Sequence, residues 1–262
     1  MKIGVAQLAG IPGNITGNLD TVRRLARQGA DHGCRLVLFP EMADLGYDFD
    51  AMATHGPRSW TLVEPFLADT ARECGLALAC GVCLADPAGL ANALVVWGPD
   101  GRILDRYRKT HLFRATESDE SRIFLPGDRL VDFDLDGIRF GLSICYDLRF
   151  PELFRALTLR SCHALLMAAA WPTRRIAHWR TLAEARAVEN QCYFFGANRV
   201  GNAGAFPFGG HSLCVDPWGQ KVMADDRSES LITMDLEPDL LQAVRAAIPA
   251  LDHRRPDLYH VS

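Results

Sequence analysis

Apolar positions along this chain alternate at period two, then recur at three and four, in turn from one end to the other. Lys2 to Leu8 alternates as a strand, and Asn18 to Ala30 carries Leu19, Val22, Leu25 and Ala26 at helical spacing. Arg35 to Pro40 (RLVLFP) is a continuous apolar run, which suits a short buried strand. Thr61 to Cys74 reads as a helix stopping before Gly75, with Pro65 obscuring its start. Leu76 to Leu84, Ala91 to Trp97 and Arg102 to Arg108 read as strands, the last two joined by a GPDG turn at 98–101.

The second half repeats the pattern. Asp136-Gly137 separates two strands, Leu130 to Leu135 and Ile138 to Ile144. A helix over Pro151 to Leu159, a strand over Ala164 to Ala170 and a long amphipathic helix over Arg175 to Asn190 follow. Cys192 to Val200, His211 to Val215 and Leu231 to Leu236 are further strands, and Pro238 to Ala247 is a last helix. Alternation of this kind predicts an α/β layered fold, with mixed sheets because many strands come as hairpins. Irregular stretches fall at 42–58, 110–128 and 201–209, and long loops in compact folds tend to carry function.

Composition adds mostly exclusions. The 262 residues are 48% hydrophobic and 23% charged, with a net charge of -4 and no like-charge block, so no nucleic-acid groove or polybasic membrane patch is expected. One domain over 1–262 is expected, without repeats or linkers. The MKIGVAQLAG start lacks a signal-peptide h-region, and no apolar stretch is long enough for a membrane span, so a cytoplasmic setting is expected. In that setting the eight cysteines read as free thiols, most of them core packers.

Three residues stand where chemistry could be built. Cys145 ends the apolar run GIRFGLSIC and precedes the helical YDLRFPELFRAL, so a helix start would favour its thiolate. The backbone N–H of Tyr146 would then face an oxyanion. Glu41 follows RLVLFP at a strand end, a place for a partly buried general base. Lys109 ends ILDRYRK, where an ammonium can stabilise an oxyanion. Each has an ordinary alternative: a structural cysteine, a surface glutamate, a snorkelling lysine. Cys80-Gly-Val-Cys83 lies within an apolar strand without a second CxxC, which argues against zinc or redox chemistry. The histidines show no ligand spacing, and His111 and His178 read as structural or supporting residues.

Taken together, LFPEM, RKTHLF and GLSICYDLRFPE resemble the nitrilase (carbon–nitrogen hydrolase) superfamily, whose catalytic Glu, Lys and Cys occur in that order. The resemblance continues through AAAWPTRRIAHWRTLAEARAVENQ, NRVG, FGGHS and IPALDHRRPDLY and so covers nearly the whole chain. It implies a four-layer αββα sandwich, a homodimer or larger assembly, Glu41 as base, Lys109 as catalytic lysine and Cys145 as nucleophile. A second glutamate is implied a few residues before Pro126-Gly127; Glu120 fits the spacing better than Glu117. Arg149 and Glu152, in the RFPE segment, are expected to form ion pairs near the site.

The implied reaction is amide hydrolysis through a thioester, releasing ammonia, with no metal or organic cofactor. AWPTRRIAHW resembles the ω-amidase and 2-oxoglutaramate amidase-like branch, which implies a short dicarboxylic acid monoamide as substrate. Tyr47, Phe113, Tyr146 and Trp171 are candidate pocket residues, and Arg175, ahead of Arg174, is the candidate carboxylate anchor. Other small amides, N-carbamoyl compounds or nitriles are the alternatives, followed by a non-catalytic binding protein on the same fold.

Overall fold

In the computed structural model, which describes residues 1–115, 118–203 and 206–258, the first half forms a hairpin-extended βαβ run. It comprises β1 (Lys2–Gln7), α1 (Ile15–Asp31), β2 (Leu36–Leu38), α2 (Phe49–Cys74), β3 (Ala77–Asp86), β4 (Gly89–Trp97) and β5 (Ile103–Arg108). A short pair follows, β6 (Arg114–Ala115) and β7 (Ser118–Asp119). Then come β8 (Asp132–Leu135), β9 (Ile138–Ile144), α3 (Pro151–Leu159), β10 (Ala164–Ala169), α4 (Ile176–Asn190) and β11 (Tyr193–Asn198). The chain closes with β12 (Val200–Ala203), β13 (Phe206–Gly209), β14 (Leu213–Val215), β15 (Lys221–Met223), β16 (Ser230–Asp235) and α5 (Pro238–Ala247).

Two six-stranded mixed sheets, ordered β16-β1-β2-β3-β4-β5 and β15-β14-β11-β10-β9-β8, lie face to face. Strand periodicity assigns each side chain to a layer. Leu36 and Leu38 of β2 enter the core between the sheets beside Phe140, Leu142 and Ile144. Val37 and Phe39 point the other way and pack with Leu19 and Val22 of α1 and Val63 and Leu67 of α2. On the far side, Phe154 and Leu157 of α3 and Trp179 and Ala183 of α4 cover the second sheet. The result is the four-layer αββα sandwich expected from the sequence. Its middle layer is dry: Phe140 is fully buried, and truncating it to alanine costs about 3–5 kcal/mol.

Three elements differ from the sequence reading. α2 begins at Phe49, so residues 49–58 are helical and only the first part of the 42–58 stretch is irregular. Asp48 caps it by accepting the Ala51 N–H at 2.9 Å. Pro57 and Pro65 lie inside this helix, but both are exposed, so the carbonyls they leave unpaired face water. The 201–209 stretch is mostly the β12–β13 hairpin, pairing Gly201 with Phe208 and Asn202 with Pro207. The long second-half helix starts at Ile176, after a 3₁₀ turn over Thr173–Arg175, and buries Arg186 and Asn190 alongside its apolar residues. No helix among the described residues is long and apolar enough to cross a membrane.

Candidate active site

The reactive residues converge because the strands carrying them end at one edge of the sandwich. β1, β2 and β3 are parallel, and two antiparallel steps through β4 bring β5 back to the same direction. β9, β10 and β11 are parallel in the other sheet. Glu41 lies just past β2, Lys109 directly follows β5, Cys145 directly follows β9 and Ala170 directly follows β10. Strand ends at one edge are where α/β folds build sites, because the backbone there is free to turn.

The turns are tight. The Glu41 turn presses on β3 at Gly81, where a Cβ would fall 2.6 Å from the Cα of Glu41, so any larger residue would displace the acid. Met42 follows with φ 51° and Cys145 itself has φ 44°, left-handed conformations that non-glycine residues rarely adopt outside special sites. Asp147 holds the cysteine turn. Its carboxylate accepts the Ile144 N–H at 2.8 Å, the Tyr107 hydroxyl at 2.7 Å and His111 Nδ1 at 2.8 Å. It thereby ties the Cys145 turn to the loop after Lys109.

Glu41, Lys109 and Glu120 form a buried ion cluster, each 0–1% exposed. Lys109 Nζ donates to Oε1 of Glu41 and to Glu120, both at 2.9 Å. Oε2 of Glu41 accepts the Ala170 N–H at 2.8 Å. Glu120 also accepts the Tyr47 hydroxyl at 2.9 Å and the Phe113 N–H at 2.7 Å. Asn92, in the middle of β4, donates to both glutamates, at 2.7 Å to Glu41 and 3.1 Å to Glu120. Glu117, the alternative second glutamate, lies outside the described residues.

Burial raises the Glu41 carboxyl above its ordinary range, and the Lys109 ammonium pulls against it. Burial disfavours the Lys109 charge, but Glu120 and Glu41 outweigh it and hold the ammonium well above its usual range. Cys145 reverses an expectation. Burial, then the charge of Glu41, push its thiol well above normal, although Lys109 works the other way. The expected helix start is also absent: Cys145–Arg149 is a single 3₁₀ turn and α3 begins only at Pro151, so no long helix points its positive end at the sulfur. These effects favour the neutral thiol over a preformed thiolate at Cys145.

Cys145 opens onto a cavity of about 380 Å³ whose walls include Tyr47, Phe113, Tyr146, Trp171, Arg175 and Phe208. The expected pocket residues are thus brought together. The Phe113 and Tyr146 rings meet edge-on at 5.1 Å, and the Arg175 guanidinium lies 5.3 Å from the centre of the Phe113 ring. Tyr146 is the second residue of the 3₁₀ turn, where a first-turn N–H has no intrahelical acceptor. Arg174 also reaches the cavity, while Glu184 pairs with Lys221 and Glu189 with Arg186. Neither Arg149 nor Glu152, both expected to form ion pairs, forms one among the described residues. The Arg149 guanidinium instead lies over Trp171 at 5.1 Å and donates to His178 Nδ1 at 3.2 Å, so its expected part in an ion pair is corrected to a stacking and hydrogen-bonding one. Cys80 and Cys83, three positions apart on one strand, face opposite sides, toward different packing clusters.

Four site residues escaped the sequence reading: Asn92, Asp147, Asn198 and Arg199. Asn198 accepts the Trp171 N–H at 2.6 Å and so fixes the β10 end that presents Ala170. Arg199 is 1% exposed, and burial lowers its guanidinium to about 10, with the charge of Glu41 working against that shift. A signal existed for Asn92, a lone amide inside an alanine- and valine-rich strand, since buried polar groups require partners.

The family model for carbon–nitrogen hydrolases matches residues 2–246, and the chain belongs to that family. It is 34% identical over 246 residues to the 2-oxoglutaramate amidase of Bacillus subtilis, covering 92% of this chain and 93% of that one. Human omega-amidase NIT2 is 33% identical, with 95% of this chain and 91% of the relative covered. Among solved structures, Nit3 of Saccharomyces cerevisiae, a member of the nitrilase superfamily, aligns with a TM-score of 0.89 at 28% identity, over 97% of this chain and 96% of its own. A mutant amidase from Nesterenkonia sp. AN1, with acrylamide added to its active-site cysteine, aligns with a TM-score of 0.85 at 28% identity, over 95% of this chain and 98% of its own.

Proposed function

We propose that this protein is a cysteine-dependent amidase that releases ammonia from the terminal amide of a short dicarboxylic acid. The observation that carries the reading is the buried Glu41–Lys109–Glu120 cluster together with a half-buried Cys145 that lines a cavity of about 380 Å³. A neutral thiol beside a carboxylate with a raised pKa is a nucleophile and its base. Glu41 takes the Cys145 proton as sulfur attacks the amide carbon. Lys109 uses two hydrogens on the glutamates and has a third for the oxyanion, which the Tyr146 N–H also meets. Protonated Glu41 gives its proton to the leaving nitrogen, and a thioester remains. Ionised again, Glu41 activates water to hydrolyse it. Glu120 keeps Lys109 in place and stays out of the proton transfers.

Arg175 at the cavity wall is the anchor for the distal carboxylate, gripping it with two parallel hydrogen bonds. Its support is the kinship to proteins named 2-oxoglutaramate amidase and omega-amidase, together with an arginine beside an aromatic pocket wall. Eight free thiols suit a reducing cytoplasm. Exposed Leu159, Val188 and Ile248, on or beside the outer helices, support a homodimer formed through that layer, which sedimentation would test. The deciding experiment for function is ammonia release over a panel of dicarboxylic acid monoamides, neutral amides of equal length, N-carbamoyl compounds and nitriles. Preference for the charged monoamides supports the reading, and preference for nitriles or carbamoyl compounds overturns it.

A further inference from the structure

Asn92 is fully buried in β4, and both hydrogens of its Nδ2 are used on carboxylates. One goes to Oε1 of Glu41 at 2.7 Å and the other to Oε1 of Glu120 at 3.1 Å. Lys109 Nζ bridges the same two oxygens at 2.9 Å each. An ammonium and an amide thus close a four-cornered ring with two carboxylate oxygens. The other end of the amide, Oδ1, is buried with no hydrogen-bond partner among the described residues. An unmatched buried acceptor is costly. The orientation is therefore imposed by the glutamates, because a half-turn of the amide would aim Oδ1 at two anions.

We propose that Asn92 is a positioning residue for acylation, which fills Oε1 of Glu41 together with Lys109 and so directs the Cys145 proton to Oε2. A carboxylate oxygen has two in-plane lone-pair sites. Among the described residues, Oε1 of Glu41 has both occupied, by Asn92 and Lys109, whereas Oε2 has one occupied, by the Ala170 N–H at 2.8 Å. On Glu120, Oε1 meets Tyr47, Asn92 and Lys109, and Oε2 meets the Phe113 N–H and lies 2.9 Å from Lys109 Nζ. Two glutamates on one lysine therefore differ in function: Glu41 keeps an open site for a proton and Glu120 does not. In the step itself the S–H bond breaks and an O–H bond forms on Oε2. The sulfur pair becomes the C–S bond, and the proton later leaves with ammonia. Asn92 also stabilises the ionised form of Glu41 against burial, as a donor to an anion must.

This inference rests on Glu41 being the base, and the experiment separates the two. Asn92→Ala and the near-isosteric Asn92→Leu are made together, with melting temperatures recorded, so that loss of fold in one leaves the other. Two pH profiles are measured: kcat/KM for succinamate, and the rate of Cys145 alkylation by iodoacetamide. The expected result is an acidic limb displaced to higher pH in both profiles, with a loss on that limb larger than on the plateau by on the order of tenfold. A limb in the wild-type position, with only a uniform loss of rate or a lower melting temperature, overturns the proposal. Glu41→Gln should erase the limb. If it does and the Asn92 variants leave the limb unmoved, the Asn92 inference alone fails; if it does not, the base assignment fails with it.

Discussion

The N–H of Ala170 donates to Oε2 of Glu41 at 2.8 Å, across 129 positions of sequence. Glu41 follows a strand of the first sheet and Ala170 a strand of the second, so this bond joins the two sheets at the reactive edge. It also brings the backbone beside Trp171 to the proposed base. The sandwich is therefore more than a support: closing the two sheets assembles the site.

Removing either charged partner of the thiol should separate chemistry from binding. Glu41→Gln removes the base and Lys109→Met the oxyanion donor. Each should lower kcat on the order of 10²–10³ or more, with far smaller changes in KM, because groups acting together are lost together. Near-normal kcat in either variant would remove that residue from the mechanism. Glu120→Gln should also be severe, acting through the position of Lys109.

The acid side of the rate profile should report Glu41. Burial raises its carboxyl, and the base must be ionised to act, so kcat/KM should rise with pH through a limb above the ordinary carboxylate range. A limb at the position of an exposed carboxylate would show that the buried ion cluster does not govern turnover.

Stability should show a different carboxylate. Asp44 is fully buried, its carboxylate accepts the Cys83 N–H at 3.1 Å, and burial raises its pKa to about 6. The folded protein therefore binds this proton more tightly than the unfolded chain, and stability falls as pH rises between about 4 and about 6, by about 3 kcal/mol. Asp44→Asn should retain the Cys83 contact and remove that dependence. Melting at pH 5 and pH 8 checks it: the gain of Asp44→Asn over wild type should be larger at pH 8, and an equal gain at both would contradict the assignment.

Substrate charge should be read at Arg175. Arg175→Met should raise KM for a dicarboxylic acid monoamide far more than for a neutral amide of equal length. The difference corresponds to roughly 1.5–3 kcal/mol, or about 10- to 150-fold. Equal effects on both would rule out this anchor, and Arg174→Met would then be the next variant to measure.

What the sequence could convey depended on how local the cause was. Strand ends carrying Glu41, Lys109 and Cys145 were legible because a strand-like run, continuous and apolar before Glu41 and Cys145, ends at each of them. The first turns of α2, before Thr61, were not, because Pro57 and Pro65 look like helix breakers until their exposure is known. The neutral state of Cys145 was hidden too, since it follows from burial and from Glu41, a residue 104 positions away in sequence. Asn92 and Asp147 act through partners on other strands and in other loops, and no spacing rule along the chain reveals such contacts.

The central claim is a covalent intermediate on Cys145. Intact-protein mass spectrometry during turnover of a slowly hydrolysed monoamide, followed by peptide mapping, tests it most directly. The protein should gain the mass of the acyl group at Cys145 and lose it as the substrate is consumed, and Cys145→Ala should stay folded, gain no mass and release no ammonia. An adduct mapped to Cys192 or Cys34, or full turnover by Cys145→Ala, would contradict the account.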